Sequence, residues 1–116
     1  MTKGTIVLTP FPFSDLSTVK RRPAVIVSSS EKSGDDVVVA FISSRMDRSI
    51  KETDYILDID HPDFKDTGLK RRSVFKMDKL VTVERRILIG EIGRVSHSIL
   101  QELDKRLRMT FDLRVE

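Results

Sequence analysis

The sequence predicts a mainly β fold, a small curled sheet or half-open barrel, with one amphipathic helix packed across it at the C-terminal end. Short runs of β-branched and apolar residues recur through the first 95 positions, broken by loops rich in Gly, Pro, Ser and Asp. After Ser96 the apolar period changes, with Ile99, Leu100, Leu103 and Leu107 at i, i+1, i+4 and i+8. The length of 116 residues fits one domain, residues 1–116, able to bury roughly two thirds of its unfolded surface in a single core.

Residues 5–9 (TIVLT) form the first strand, closed by Pro10 and Pro12 before a polar loop. Phe11 and Phe13 stand two apart, so an extended chain turns them to one side. They either pack the loop onto the core, as loop aromatics between prolines usually do, or offer stacking faces to bases. Residues 24–28 are the second strand, with Pro23 fitting its first position because it lacks an N–H and fixes its own φ. Residues 37–42 (VVVAFI) are the third, an unbroken apolar run that calls for burial on both faces. A fourth covers residues 54–59. The acidic stretch after it lacks the glycine and terminal acid that a calcium loop needs, and reads as a solvated loop. Residues 74–77 and 79–83 continue as β structure. Gly90 and Gly93 suit a bent or closely packed strand over residues 89–95. A serine, Ser96 or Ser98, caps the helix, which ends between Arg108 and Asp112.

There are 21 Lys and Arg against 18 Asp and Glu, a net charge of +3, but the cations cluster at residues 20–22, 70–72 and 85–86. Local basic surfaces of this kind attract polyanions. With no cysteine, disulfides and thiolate metal sites are excluded, and the composition suits a reducing compartment. No apolar run approaches the ~18 residues of a membrane span, and the N-terminal run is too short for a signal sequence, so the expected location is the cytoplasm.

The densest chemistry is Lys20-Arg21-Arg22-Pro23, where three cations run straight into an apolar strand. Pro23 pushes Arg22 toward an extended conformation, and a guanidinium suits a phosphate or carboxylate better than an ammonium does. Arg22 is expected at an exposed rim, with Arg21 pointing the other way. Ser43 and Ser44 follow the buried third strand. They either hydrogen-bond their own loop or present hydroxyls to a ligand.

These signals, taken in order with Gly4, Phe11-Pro12-Phe13, Ile42-Ser43-Ser44, Leu69-Lys70-Arg71-Arg72-Ser73-Val74 and Asp78-Lys79-Leu80-Val81-Thr82-Val83, resemble MazF/PemK-type toxins of toxin-antitoxin pairs over essentially the whole chain. The resemblance implies an SH3-like small β-barrel of the MazF/PemK/CcdB kind with a C-terminal helix. It implies a homodimer that cuts single-stranded RNA without a metal or other cofactor and is neutralised by an antitoxin. It assigns catalysis to Arg22 and Ser43 and RNA binding to Lys20, Arg21, Ser44, Lys70, Arg71, Arg72 and Lys79. The loop with Phe11, Phe13 and Asp15 contributes to the site. Two positions depart from the family pattern: Ser43 stands where threonine is common, and Arg72 where an acid is common.

Cleaving RNA by its own 2′-hydroxyl requires a proton acceptor, stabilisation of the phosphorane's extra charge, and a proton for the leaving 5′-oxygen. Arg22 suits the second role and, because a guanidinium holds its proton strongly, is a reluctant acid or base. Ser43 can donate to the phosphate. His61 and His97, in an acidic loop and at a helix start, do not suggest a two-histidine mechanism. The alternatives are a non-catalytic nucleic-acid-binding barrel using the same cations for phosphates, and a CcdB-like toxin that poisons gyrase by binding it. A dimer is expected because an exposed run at residues 37–42 and the apolar helix face exceed what one small barrel needs.

Overall fold

The computed structural model describes residues 1–11, 20–29, 34–46 and 49–114. Six antiparallel strands form one sheet in the order β4-β5-β3-β2-β1-β6, namely β1 (Thr5–Phe11), β2 (Lys20–Ile26), β3 (Asp36–Ser43), β4 (Asp54–Leu57), β5 (Ser73–Glu84) and β6 (Gly90–Arg94). The helix α1 (His97–Thr110) follows. No helix among the described residues is long and apolar enough to cross a membrane.

The first two strands are longer than their prolines suggest. β1 runs through Pro10, and β2 begins at Lys20, so Pro23 is the fourth residue of its strand and the basic run lies inside the ladder. The reason is the same at both places. β6 pairs with β1 only from Thr5 to Leu8, and β3 meets β2 only from Ala24 to Ile26. Each proline therefore stands where its strand has a neighbour on one side only, and a missing N–H breaks no second ladder. At the other end, β2 stops at Ile26, and Ser28 lies outside it, its hydroxyl accepting from the Val38 N–H at 2.9 Å.

Alternation along these strands builds a core on each face of the sheet. Ile6, Val25, Ala40, Ile42, Phe75 and Met77 form one cluster with Val95, Ile99 and Leu103. Val7, Ala24, Ile26, Val37 and Val39 form the other, with Phe41, Val83 and Leu88 packed against it. The apolar run of β3 feeds both, so it is buried within its own chain and is not the exposed surface expected for a dimer. Burying Ile99 and Leu103 completely contributes about 1.5–3 kcal/mol each. Ser96 caps the helix, its hydroxyl accepting from the Ile99 N–H at 3.3 Å. The helix ends at Thr110, with Asp112 at φ 53 and Leu113 N–H reaching back to the Arg108 carbonyl at 2.8 Å, a left-handed stop that carries no glycine signal.

The sheet is curled because its two ends meet. The edge strand β6 carries Gly93, where a Cβ would stand 2.5 Å from the Asp66 carbonyl oxygen and collide with the Thr67 backbone. Residues 66–67 belong to the short 3-10 turn Lys65–Thr67, which follows the opposite edge strand, β4. Gly68 closes that turn at φ 73 against Ile92 of β6, where a Cβ would lie 2.7 Å from the Ile92 carbonyl carbon. Two glycines thus let the edges approach more closely than side chains permit.

β5 is continuous, although its partners are not. Its pairing with β3 slips between Ala40↔Leu80 and Phe41↔Lys76, leaving Met77, Asp78 and Lys79 without a β3 partner. Lys51, at the end of the β3–β4 loop, reaches this bulge and places its ammonium 2.7 Å from Asp78 Oδ2. Burial pushes the Asp78 carboxyl up, but the hydrogen bond and charge of Lys51 outweigh it and hold the carboxyl below its usual range.

Candidate nucleic-acid cleft

The same geometry that tolerates Pro23 opens a cleft. β2 and β3 are paired as far as Ala24↔Phe41 and then part, while the end of β3 stays on β5 through Ile42↔Phe75 and Ser43↔Val74. The space between is about 460 Å³. One wall is Lys20, Arg21, Arg22 and Pro23 of β2, the second Ile42, Ser43, Ser44 and Arg45, and the third Leu69, Lys70 and Arg71 with Ser73, the first residue of β5. Six of these residues are cations, and no carboxylate is among the described lining residues. Such a concave surface with one sign of charge focuses the field on an anion.

Each wall is held by the fold. Arg22 is opposite Thr9, Arg21 opposite Pro10, and Lys20 opposite Phe11 in the β1–β2 ladder. Strand register therefore aims these cations, and they do not lie in a mobile turn. Arg22 is half-buried with its Nε inaccessible to solvent, which corrects the exposed rim expected for it. The guanidinium enters the wall because the strand carries it inward for three residues before Pro23. Arg21 is exposed and lines the same cleft, so it does not stand apart as the opposite face of a strand would require.

Ser43 has both of the properties read from its position. Its hydroxyl accepts from the Arg45 N–H at 3.1 Å, the bond to its own loop, and it lines the cleft. Ser73 is buried, and its hydroxyl donates to the Arg71 carbonyl at 2.8 Å, fixing the third wall.

Of the residues assigned by sequence, the structure gathers Lys20, Arg21, Arg22, Ser43, Ser44, Lys70 and Arg71. Two do not join them. Arg72 turns to the acidic loop, its Nε 2.9 Å from Asp58 Oδ1, and Lys79 sits in the bulge of β5. Arg72 is held away by its ion pair with Asp58, and Lys79 by the slip in the β3–β5 pairing. Phe11 is paired by its backbone, but its side chain, together with Phe13 and Asp15, lies outside the described residues. Neither His61 nor His97 lines the cleft; the His61 Nδ1 accepts from the Asp63 N–H at 3.0 Å. Pro23, Ile42, Arg45, Leu69 and Ser73 also line the cleft without having been assigned to it, and of these Arg45 is the one that carries a charge. The signal for Arg45 was available, because a hydroxyl that bonds its own loop two residues on brings that residue's backbone to the site.

The chain superposes on several solved structures along almost its whole length. An endoribonuclease in complex with its cognate antitoxin from Mycobacterial species matches with a TM-score of 0.74 at 18% identity, covering 100% of this chain and 99% of the other. The Mycobacterium tuberculosis toxin MazF-mt6 matches at 0.73 and 23% identity, covering 96% and 99%. MazF from Deinococcus radiodurans matches at 0.72 and 17%, covering 97% and 96%. At these identities the likeness establishes the fold. No curated protein matches the sequence. The model of one family, the PemK-like, MazF-like toxins of type II toxin-antitoxin systems, spans residues 2–111, and the chain belongs to that family.

Proposed function

We propose that this toxin is a metal-independent endoribonuclease that cuts single-stranded RNA in the cleft between β2 and β3. The observation that carries the reading is the convergence of Arg22, Ser43 and five further cations from three separate walls. One scissile phosphate needs two or three donors. Six cations match a chain of phosphates and so favour a polynucleotide over a small anion. The family and the endoribonucleases among its structural likenesses support the same activity.

In this reading the 2′-hydroxyl attacks its own phosphorus and loses its proton. A pentacoordinate phosphorane forms, and the bond to the 5′-oxygen breaks as that oxygen gains a proton. The products are a 2′,3′-cyclic phosphate, or the 3′-phosphate after hydrolysis, and a 5′-hydroxyl. Arg22 places its fork on the non-bridging oxygens, where charge grows in the transition state, and Ser43 donates to the same group. Every ionisable side chain among the described lining residues is a Lys or Arg. The cleft therefore acts by in-line positioning and charge stabilisation. Such a lining also repels a divalent cation, which is the physical basis for metal independence.

The purified protein should cut a long RNA in EDTA, leaving the cyclic or 3′-phosphate ends. If all six cations engage, log affinity should fall with log salt at a slope near −4, from about 0.7 per phosphate on single strands. Activity lost in EDTA and restored by magnesium would reject metal independence. Binding without cleavage would leave the non-catalytic barrel. Inhibition of gyrase with RNA left intact would leave the gyrase-poisoning toxin.

The proposed partners are a second copy and an antitoxin, with the cytoplasm as the place of action. A surface available to a second copy is the end of α1, where Met109, Phe111 and Leu113 are among the exposed apolar residues that a lone chain leaves in water. An acidic antitoxin segment fits the cleft by charge. Light scattering should give twice 13.3 kDa for the toxin alone, and co-expression with an adjacent small open reading frame should give a co-purifying complex. A monomer, or a toxin that stays unpartnered, would remove the corresponding assignment.

A further inference from the structure

The geometry points to Arg45 as a further arginine of the RNA site, its guanidinium binding a phosphate next to the scissile one and its main-chain N–H leaving the Ser43 hydroxyl to act as a hydrogen-bond donor. This inference rests on the ribonuclease reading and adds two roles to it.

The backbone role follows from the inventory of a hydroxyl. Serine has one O–H to donate and two lone pairs to accept with. In this structure one lone pair of Ser43 is taken by the Arg45 N–H at 3.1 Å. That bond uses the oxygen as an acceptor and leaves its O–H to be donated to a ligand in the cleft. Ser43 is anchored on β5 opposite Val74, and its loop bond holds the oxygen in place at the cleft wall. A hydroxyl whose oxygen is fixed in this way enters the reaction as a donor to a phosphate oxygen.

The side-chain role follows from position. Arg45 is exposed, lines the cleft two residues beyond Ser43, and belongs to a different wall from Arg22. The scissile group cannot use every cation, so a cation on a different wall from Arg22 is available to a neighbouring phosphate of the strand. An arginine there grips the strand and carries no part of the bond-breaking.

Two substitutions separate the roles. Arg45→Ala removes the guanidinium and keeps the N–H. It should weaken RNA binding about fivefold, raise KM by the same factor, and lower the salt slope by roughly one phosphate's share. Arg45→Pro removes both the side chain and the N–H. It should show the same binding loss and, in addition, a kcat lowered roughly 10²-fold, to the level of Ser43→Ala. Thermal melting and RNA affinity of Arg45→Pro are measured alongside, and affinity matching Arg45→Ala shows that the cleft is intact. If Arg45→Ala leaves KM and the salt slope unchanged, the side-chain role fails. If Arg45→Pro keeps the kcat of Arg45→Ala, the backbone role fails. A parent protein that does not cut RNA overturns the ribonuclease reading itself, which these variants do not test.

Discussion

Arg22→Ala is expected to lower kcat/KM for RNA cleavage by 10² to 10³, roughly 3–4 kcal/mol of transition-state stabilisation. The guanidinium is aimed by the β1–β2 ladder through its position opposite Thr9, and the charge it meets is larger in the phosphorane than in the bound substrate. Arg22→Lys should recover little, because an ammonium keeps the charge and loses the planar fork. Half-burial of the side chain adds a stability cost of roughly 1 kcal/mol, from the lost packing of its stem, so rates are compared well below the melting temperature. Arg21 is a poor control since it lines the same cleft, and Lys79→Ala takes its place, a cation of the same surface class held away in the β5 bulge. Equal cleavage by Arg22→Ala and the parent would remove Arg22 from the chemistry. Equal loss in Lys79→Ala would show that net charge, and no particular fork, drives the reaction.

Much of the cleft was legible in the sequence because two of its lining residues, Arg22 and Ser43, are marked by local chemistry. A cation before proline and a hydroxyl after a buried apolar run are both signals that a short window contains. The helix was equally legible, since Ser96 and the leucine spacing act within a few residues. What the sequence hid depends on distant partners. Whether a strand can run through Pro10 or Pro23 is decided by where β6 and β3 stop, which neither proline reports. The basic run 70–72 gives no sign that Asp58 takes Arg72 and leaves Lys70 and Arg71 to the cleft. The three-residue slip that carries Lys79 away belongs to the pairing of β5 with β3, and one strand's sequence cannot show it. Local signals identify chemistry, and register decides which copies of a repeated signal are used.

Gly93→Ala tests how far the cleft depends on the curl of the sheet, and it is expected to be among the most damaging single-methyl changes in the chain. The added Cβ would stand 2.5 Å from the Asp66 carbonyl oxygen and against the Thr67 backbone, and Thr67 is itself fully buried. Backbone cannot rotate aside as a flexible side chain can, so relief requires β6 and the turn to separate. Overpacking costs about 1–3 kcal/mol in an adaptable core and more where backbone must move, so a loss of about 3 kcal/mol or above is expected. For a chain of this size that is roughly 12 °C or more in Tm. The consequence for function runs through the chain itself, since the displaced turn leads directly into Leu69, Lys70 and Arg71, the third wall of the cleft. RNA affinity measured far below the lowered Tm should therefore also fall, while Gly34→Ala, at an exposed turn with nothing near its Cβ, should pay only for its φ of 59 and bind RNA like the parent. If Gly93→Ala melts with the parent, the contact between the two edges of the sheet does not exist as described. If it melts early but binds RNA normally, the third wall is held by its own Ser73 to Arg71 hydrogen bond and not by the closure of the sheet.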